Sequence, residues 1–117
     1  MKRSVTIYGI KNCDTVKKAR AWLDGHDVVY AFHDYKAEGI ARDVLQSWAK
    51  IVGWETLLNR AGTTFRKLPD ADKSGIDERK AIALMLAQPS VIKRPVLDTG
   101  KDLLVGFKPE IYAKSFR

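Results

Sequence analysis

The sequence predicts an α/β fold built as β-α-β, then a helical stretch, then β-β-α, and three observations carry that reading. A β-branched and aromatic run, Ser4 to Tyr8, is followed at once by apolar residues at helical spacing. The middle third of the chain repeats that helical spacing with no strand-like run between its helices. The last quarter shows two short apolar runs around Thr99-Gly100 and then a helix with Pro109 in its first turn.

The elements follow in order. "SVTIY" reads as a short central strand bounded by Gly9. From Cys13 onward Val16, Ala19 and Leu23 mark one face of a helix, with Asn12 as its N-cap and Gly25 as its C-terminal glycine. "DVVYAFHDY", residues 27–35, completes β-α-β. Ile40, Val44, Leu45, Trp48, Ile51 and Val52 outline an amphipathic helix that stops near Gly53, and "WETLLN" adds a further turn. "RAGTTFRKLPDADKSG" is polar and rich in turn formers, a loop or a set of short helical turns long enough to suggest a functional role. Asp77 caps a helix through Ala87, which carries Ala81, Ile82, Leu84, Met85 and Leu86, and Gln88-Pro89 closes it. Residues 90–98 read as a loop leading into a hairpin around Thr99-Gly100, and Lys108 to Phe116 as the last helix. The whole chain, 1–117, is expected to be one domain of thioredoxin-like order, with a helical insertion at about 38–88 between its N-terminal and C-terminal parts.

Composition limits the function classes. An apolar fraction of 45% with 30% charged residues is ordinary for a folded domain. With 21 Lys and Arg against 14 Asp and Glu, the formal charge of +7 favours anionic partners. The basic N-terminal stretch has no apolar run of signal-peptide or membrane-span length, and a single cysteine allows no internal disulfide, so a cytoplasmic, reducing setting is expected, without membrane association. His26 and His33 lack any companion at metal-ligand spacing, and no metal is expected.

Cys13 is the residue with chemistry. A cysteine at the start of a helix faces unpaired backbone N–H groups and the positive end of the helix dipole, both of which favour thiolate over thiol. Such surroundings bring a thiol from about 8.5 into the range of roughly 3.5–7.5. Three positions on, where a dithiol oxidoreductase carries its second cysteine, stands Val16. A disulfide formed at Cys13 must therefore be resolved by an outside thiol, for which glutathione is the obvious candidate.

The ordered set "TIYGIKNCDTVKKA", "NRAGTTFRKL", "IKRPVL" and "GFKPE" resembles the arsenate reductase (ArsC)/Spx family in its YffB-like branch, over nearly the whole chain. The resemblance implies a thioredoxin-like fold, Cys13 as nucleophile and a basic oxyanion pocket beside it. Its anion-binding arginines fall on Arg60 in "LNRAG" and Arg94 in "KRPV"; the third falls on Lys108, a point charge without the bidentate fork of arginine. Pro95 resembles the cis-proline that borders thioredoxin-like sites. The histidine that an arsenate reductase carries before its cysteine is missing from "YGIKN", where Lys11 offers a positive charge and Asn12 a polar group near the thiol. The expectation is a glutathione-dependent monothiol reductase, with no tightly bound cofactor, glutathione as co-substrate, glutaredoxin as a candidate partner, no nucleic acid and a monomeric state. Arsenate reduction proper and a Spx-like regulator that binds RNA polymerase are the alternatives. The run from Cys13 to Val16 cannot form the two-cysteine switch common in Spx proteins.

Overall fold

The computed structural model describes residues 5–116. They fall into two units, one made of the chain up to Tyr35 together with Arg94 onward, the other of Lys36–Lys93. Ser4, expected at the start of the first strand, lies outside the described residues.

The first unit is organised around strand β1, Thr6–Gly9. It is parallel to β2 (Ala31–Asp34) on one side and antiparallel to β3 (Val96–Asp98) on the other, and β3 pairs antiparallel with β4 (Leu103–Val105), for a sheet order β2-β1-β3-β4. Ile7 lies opposite Phe32 and Leu97 in this register. Residues alternate across a strand, so Val5 and Ile7 share a face; they pack with Ala19, Leu23, Leu97 and Tyr112 into one apolar cluster. Helix α1, Asp14–Gly25, contributes the stripe Val16, Ala19 and Leu23, all fully buried, as the spacing predicts. Between Gly25 and β2 the chain passes through Asp27 at φ 58, so the strand expected over residues 27–35 shrinks to four residues. Tyr35 already begins a helical turn, α2 (Tyr35–Glu38).

The hairpin turn is a local hydrogen-bond device. Gly100, at φ 82, donates its N–H to Asp98 Oδ1 at 2.9 Å, and Thr99 Oγ1 accepts from the Asp102 N–H at 2.8 Å. A helix that follows β4, Pro109–Ser115, is tied to this turn by Ser115 Oγ donating to Asp102 Oδ2 at 2.8 Å.

The second unit is helical. Helix α3 (Arg42–Val52) buries Leu45, Trp48 and Ala49 and ends at Gly53, whose φ of 86 turns the chain into α4 (Trp54–Leu57). Ile51, expected on the apolar face, is instead 64% exposed, because it lies off the stripe that runs through 45, 48 and 49. Two single turns, α5 (Thr63–Arg66) and α6 (Asp70–Lys73), occupy the polar stretch. In α7, Glu78–Ala87, Asp77 caps as expected: its Oδ1 accepts from the Lys80 N–H at 2.9 Å. A 3-10 turn over Pro89–Val91 then brings Ile92 opposite Leu58, and the Asn59 N–H to Val91 C=O and Lys93 N–H to Leu57 C=O bonds, each 2.7 Å, pin the two segments together. The remaining helix, Pro109–Ser115, is α8. No helix of the described residues is long and apolar enough to cross a membrane.

One glycine is fixed by close approach. A Cβ on Gly9 would lie 2.7 Å from Cγ2 of Val16, a stiff β-branched side chain with no exposed surface. Gly25 has nothing within 4 Å of the same position. Gly9→Ala is therefore expected to lower the unfolding free energy by about 1–3 kcal/mol, whereas Gly25→Ala should be neutral or stabilise by up to about 1 kcal/mol. Denaturant midpoints of the two variants check the contrast.

Candidate active site

The start of α1 is set by a turn rather than by a side chain. The Cys13 N–H donates to the Ile10 C=O at 3.2 Å, closing the turn after β1, and the Cys13 C=O accepts from the Lys17 N–H at 3.0 Å as the first helical bond. Cys13, at φ −96 and ψ 124, is thus the N-cap itself. The expected cap, Asn12, sits one residue earlier in the turn, exposed like Lys11. This shift of one residue matters chemically, because an N-cap side chain is the one placed over the free N–H groups of the first turn.

The electrostatics of Cys13 follow from that position. The thiol is partly exposed. Its burial pushes the pKa up, but the backbone N–H groups of Val16 and Thr15 and the Arg94 guanidinium, which acts both as a hydrogen-bond donor and as a charge, more than offset it. The net result is a thiol below its ordinary value, hence a larger thiolate fraction at neutral pH. Arg94 reaches this position from the segment that leads into β3. The Arg94-Pro95 peptide bond is cis, as expected from the resemblance, and the Pro95 C=O accepts from the Gly106 N–H at 2.8 Å.

A layer of aromatic polar groups accompanies Arg94 in the first unit. Tyr8 and His33 face each other across the β1–β2 register with ring centroids 5.0 Å apart, and Tyr35 stacks on Tyr8 at 6.4 Å and meets His33 edge-on at 6.3 Å. Tyr35 is 1% exposed and its hydroxyl has no hydrogen-bond partner. Burial, then the neighbouring Tyr8, push its pKa up, and Arg94 pulls it the other way. Tyr8 is raised as well, by burial and then by Asp98. Sequence reasoning missed Tyr35. The only available signal was its place at the end of the second strand, two positions beyond His33, which gains meaning once the strand register is known.

Of the residues singled out in the sequence, the structure brings Cys13 and Arg94 together. Lys108 caps α8, exposed to solvent. Arg60 belongs to the second unit, where its guanidinium lies 5.5 Å from the Trp54 ring centroid, a cation–π arrangement just beyond the segment pinned by Ile92. Among the described residues no group of three or more His, Cys, Asp or Glu side chains could hold a metal ion.

The chain is 62% identical to the YFFB protein, whose solved structure superposes with a TM-score of 0.95 over 97% of this chain and 100% of that one. It is 60% identical to an arsenate reductase (ArsC) related protein from Brucella melitensis, with a TM-score of 0.75 and coverage of 97% and 95%. The global transcriptional regulator Spx of Streptococcus mutans is 31% identical over 91% of this chain and 78% of its own length. A structure of arsenate reductase from Vibrio cholerae, 18% identical, shares the fold with a TM-score of 0.83. The model of the ArsC family matches residues 8–115, and with Cys13 at the head of α1 and a cis-proline before β3, the chain belongs to that family.

Proposed function

We propose that this chain is a glutathione-dependent monothiol reductase. The observation that carries the reading is Cys13 at the N-cap of α1, its thiol lowered by two backbone N–H groups and by Arg94. The Cys13 thiolate attacks the glutathione sulfur of a mixed disulfide, so that a Cys13–glutathione disulfide forms and the partner sulfur leaves as a thiolate that takes up a proton. A second glutathione thiolate then attacks that disulfide, releasing oxidised glutathione and restoring the Cys13 thiolate. The outside thiol is required because Cys13 is the only cysteine in the chain and Val16 stands at the resolving position.

The cations have distinct parts in this scheme. Arg94 stabilises the thiolate and, as a planar fork, suits a carboxylate or tetrahedral oxyanion. Arg60 and Lys108 add positive charge for the anionic portion of the substrate, and Lys11 and Asn12 line the approach to the thiol. Glutaredoxin is a candidate for the second thiol. The protein acts as a cytoplasmic monomer, with no tightly bound cofactor.

Two other readings each have an observation in their favour. The likeness to an arsenate reductase related protein favours arsenate as substrate, the thiolate attacking arsenic and glutathione or glutaredoxin thiols supplying the two electrons. The absent histidine before Cys13 and the lysine at 108 weigh against it. The likeness to Spx favours a regulator that binds RNA polymerase, and pull-down of polymerase subunits by the tagged chain tests it.

Cys13→Ser should abolish glutathione-disulfide exchange while leaving the far-UV spectrum and unfolding midpoint unchanged; turnover by that variant would overturn the reading. Arg94→Lys keeps the charge but loses the fork, and should lower kcat/KM about tenfold or more. Steady-state kinetics with a glutathionylated peptide, and separately with arsenate, measure both effects and separate the two enzyme readings.

A further inference from the structure

Strand β4 ends the sheet on the far side of β3, so one of its edges is open. The Thr99 N–H donates to the Asp102 C=O at 3.0 Å, and the Gly106 N–H to the Pro95 C=O at 2.8 Å. With Leu97 opposite Leu104, the hydrogen-bonded pairs of this antiparallel hairpin are Thr99 with Asp102, Leu97 with Leu104 and Pro95 with Gly106. Leu103 and Val105 fall between them. Their N–H and C=O groups therefore point away from β3, and no other strand of the described residues pairs with them.

A cavity of about 260 Å³ runs along the same edge, completed by Phe107 and by Ile111 of α8. Successive strand residues face opposite ways, yet Leu103, Leu104 and Val105 all line it, which places it beside the strand rather than over one face of the sheet. Sites that enclose a small molecule begin at about 300 Å³. This cavity is smaller, and fits one or two apolar side chains better than a whole ligand.

Charge narrows the occupant further. Lys108 is the one charged residue among those lining the cavity; neither Asp102 nor Glu110 lines it, and the Asp102 carboxylate accepts from Ser115 Oγ at 2.8 Å. Lys101 is exposed at the other end of the strand, so an ammonium group stands beyond each end of the open edge. A second copy of the chain does not suit it. Antiparallel pairing of two β4 strands about Leu104 would set Lys101 of one copy close to Lys108 of the other, between chains that each carry a charge of +7.

We propose that the open edge of β4 docks an extended segment of a partner protein, with carboxylates at its ends and apolar side chains alternating between them. Its main chain pairs with Leu103 and Val105, an apolar side chain enters the cavity, and its carboxylates meet Lys101 and Lys108. The main-chain groups supply affinity and the two lysines select an acidic strand over a basic one. This surface is separated from β1 by β3 and does not rest on the reading of Cys13.

The test follows backbone amide resonances of the whole protein during titration with a capped peptide of alternating Val and Thr between terminal Glu residues. A counterpart with Lys at both ends is the control. Two variants are compared with the wild type. Leu103→Pro removes an outward N–H at the first residue of an edge strand, where proline leaves the β3 bonds in place, and Lys108→Glu reverses the charge at the cavity. Thermal unfolding verifies the fold of both, and the exposed Lys108→Glu serves alone if the proline variant unfolds. The expected result is that the Glu-ended peptide shifts the resonances of Leu103 to Gly106, that the Lys-ended one does not, and that the half-saturating concentration rises about tenfold in each variant. Shifts confined to the surroundings of Cys13, or none with either peptide, overturn the proposal. Equal binding of the two peptides, or unaltered binding by the folded variants, overturns it as well. Shifts at β4 that grow with protein concentration in the absence of peptide would overturn it in favour of a second copy as the occupant.

Discussion

Everything chemical in this structure depends on where helix α1 begins. The turn closed by the Cys13 N–H and the Ile10 C=O delivers the chain from the end of β1 into the helix within four residues, and it makes the cysteine, not the asparagine before it, the cap. A thiol one residue earlier would lie in an exposed turn, and one residue later it would lie within the helix proper. At the cap it meets the unpaired N–H groups of the first turn, whose partial charge stabilises an anion at this position. Gly9 and Val16 secure the arrangement, because only a residue without a side chain lets the first turn of α1 descend this far onto the strand.

Arg94 is the second half of the same device. It is delivered by the cis Arg94-Pro95 segment at the entrance to β3, a strand whose other neighbour, β4, holds the segment through the Gly106 N–H to Pro95 C=O bond. The strand that precedes Cys13, β1, and the strand that begins after Arg94, β3, are adjacent in the sheet, so the pairing of Thr6 with Asp98 and of Tyr8 with Val96 sets the sequence-distant arginine beside the thiol. Register, chosen by the buried faces of Ile7 and Leu97, thus sets the electrostatics of the cysteine.

Much of this was legible in the sequence, and the reasons differ from element to element. The α1 stripe, the Asp77 cap and the hairpin at Thr99-Gly100 are local features written in spacing and turn chemistry, and each appears where expected. The strand-like side chains of Val28 and Val29 suggest a longer second strand than the chain forms, because the left-handed Asp27 and the helical turn at Tyr35 shorten it. The apolarity of Ile51 suggests a core residue, yet its angular position on α3 puts it in solvent. Cys13 and Arg94 were found through motif resemblance and helix-terminus chemistry. Tyr35 was not found, because what singles it out is a burial and an unpartnered hydroxyl that only the folded arrangement of β1, β2 and the chain beyond creates.

The central claim is that the N-terminus of α1 and Arg94 together lower the pKa of Cys13 and so enlarge its thiolate fraction. The rate of Cys13 alkylation by iodoacetamide, followed from acid to alkaline pH in the wild type and in Arg94→Met, tests it directly. A group with a lowered pKa is already ionised below its ordinary range, so the wild-type midpoint should fall clearly under about 8.5. Loss of the guanidinium should move that midpoint upward, with the contribution of the helix N-terminus remaining. A wild-type midpoint at or above the ordinary thiol value, unchanged in Arg94→Met, would contradict the account.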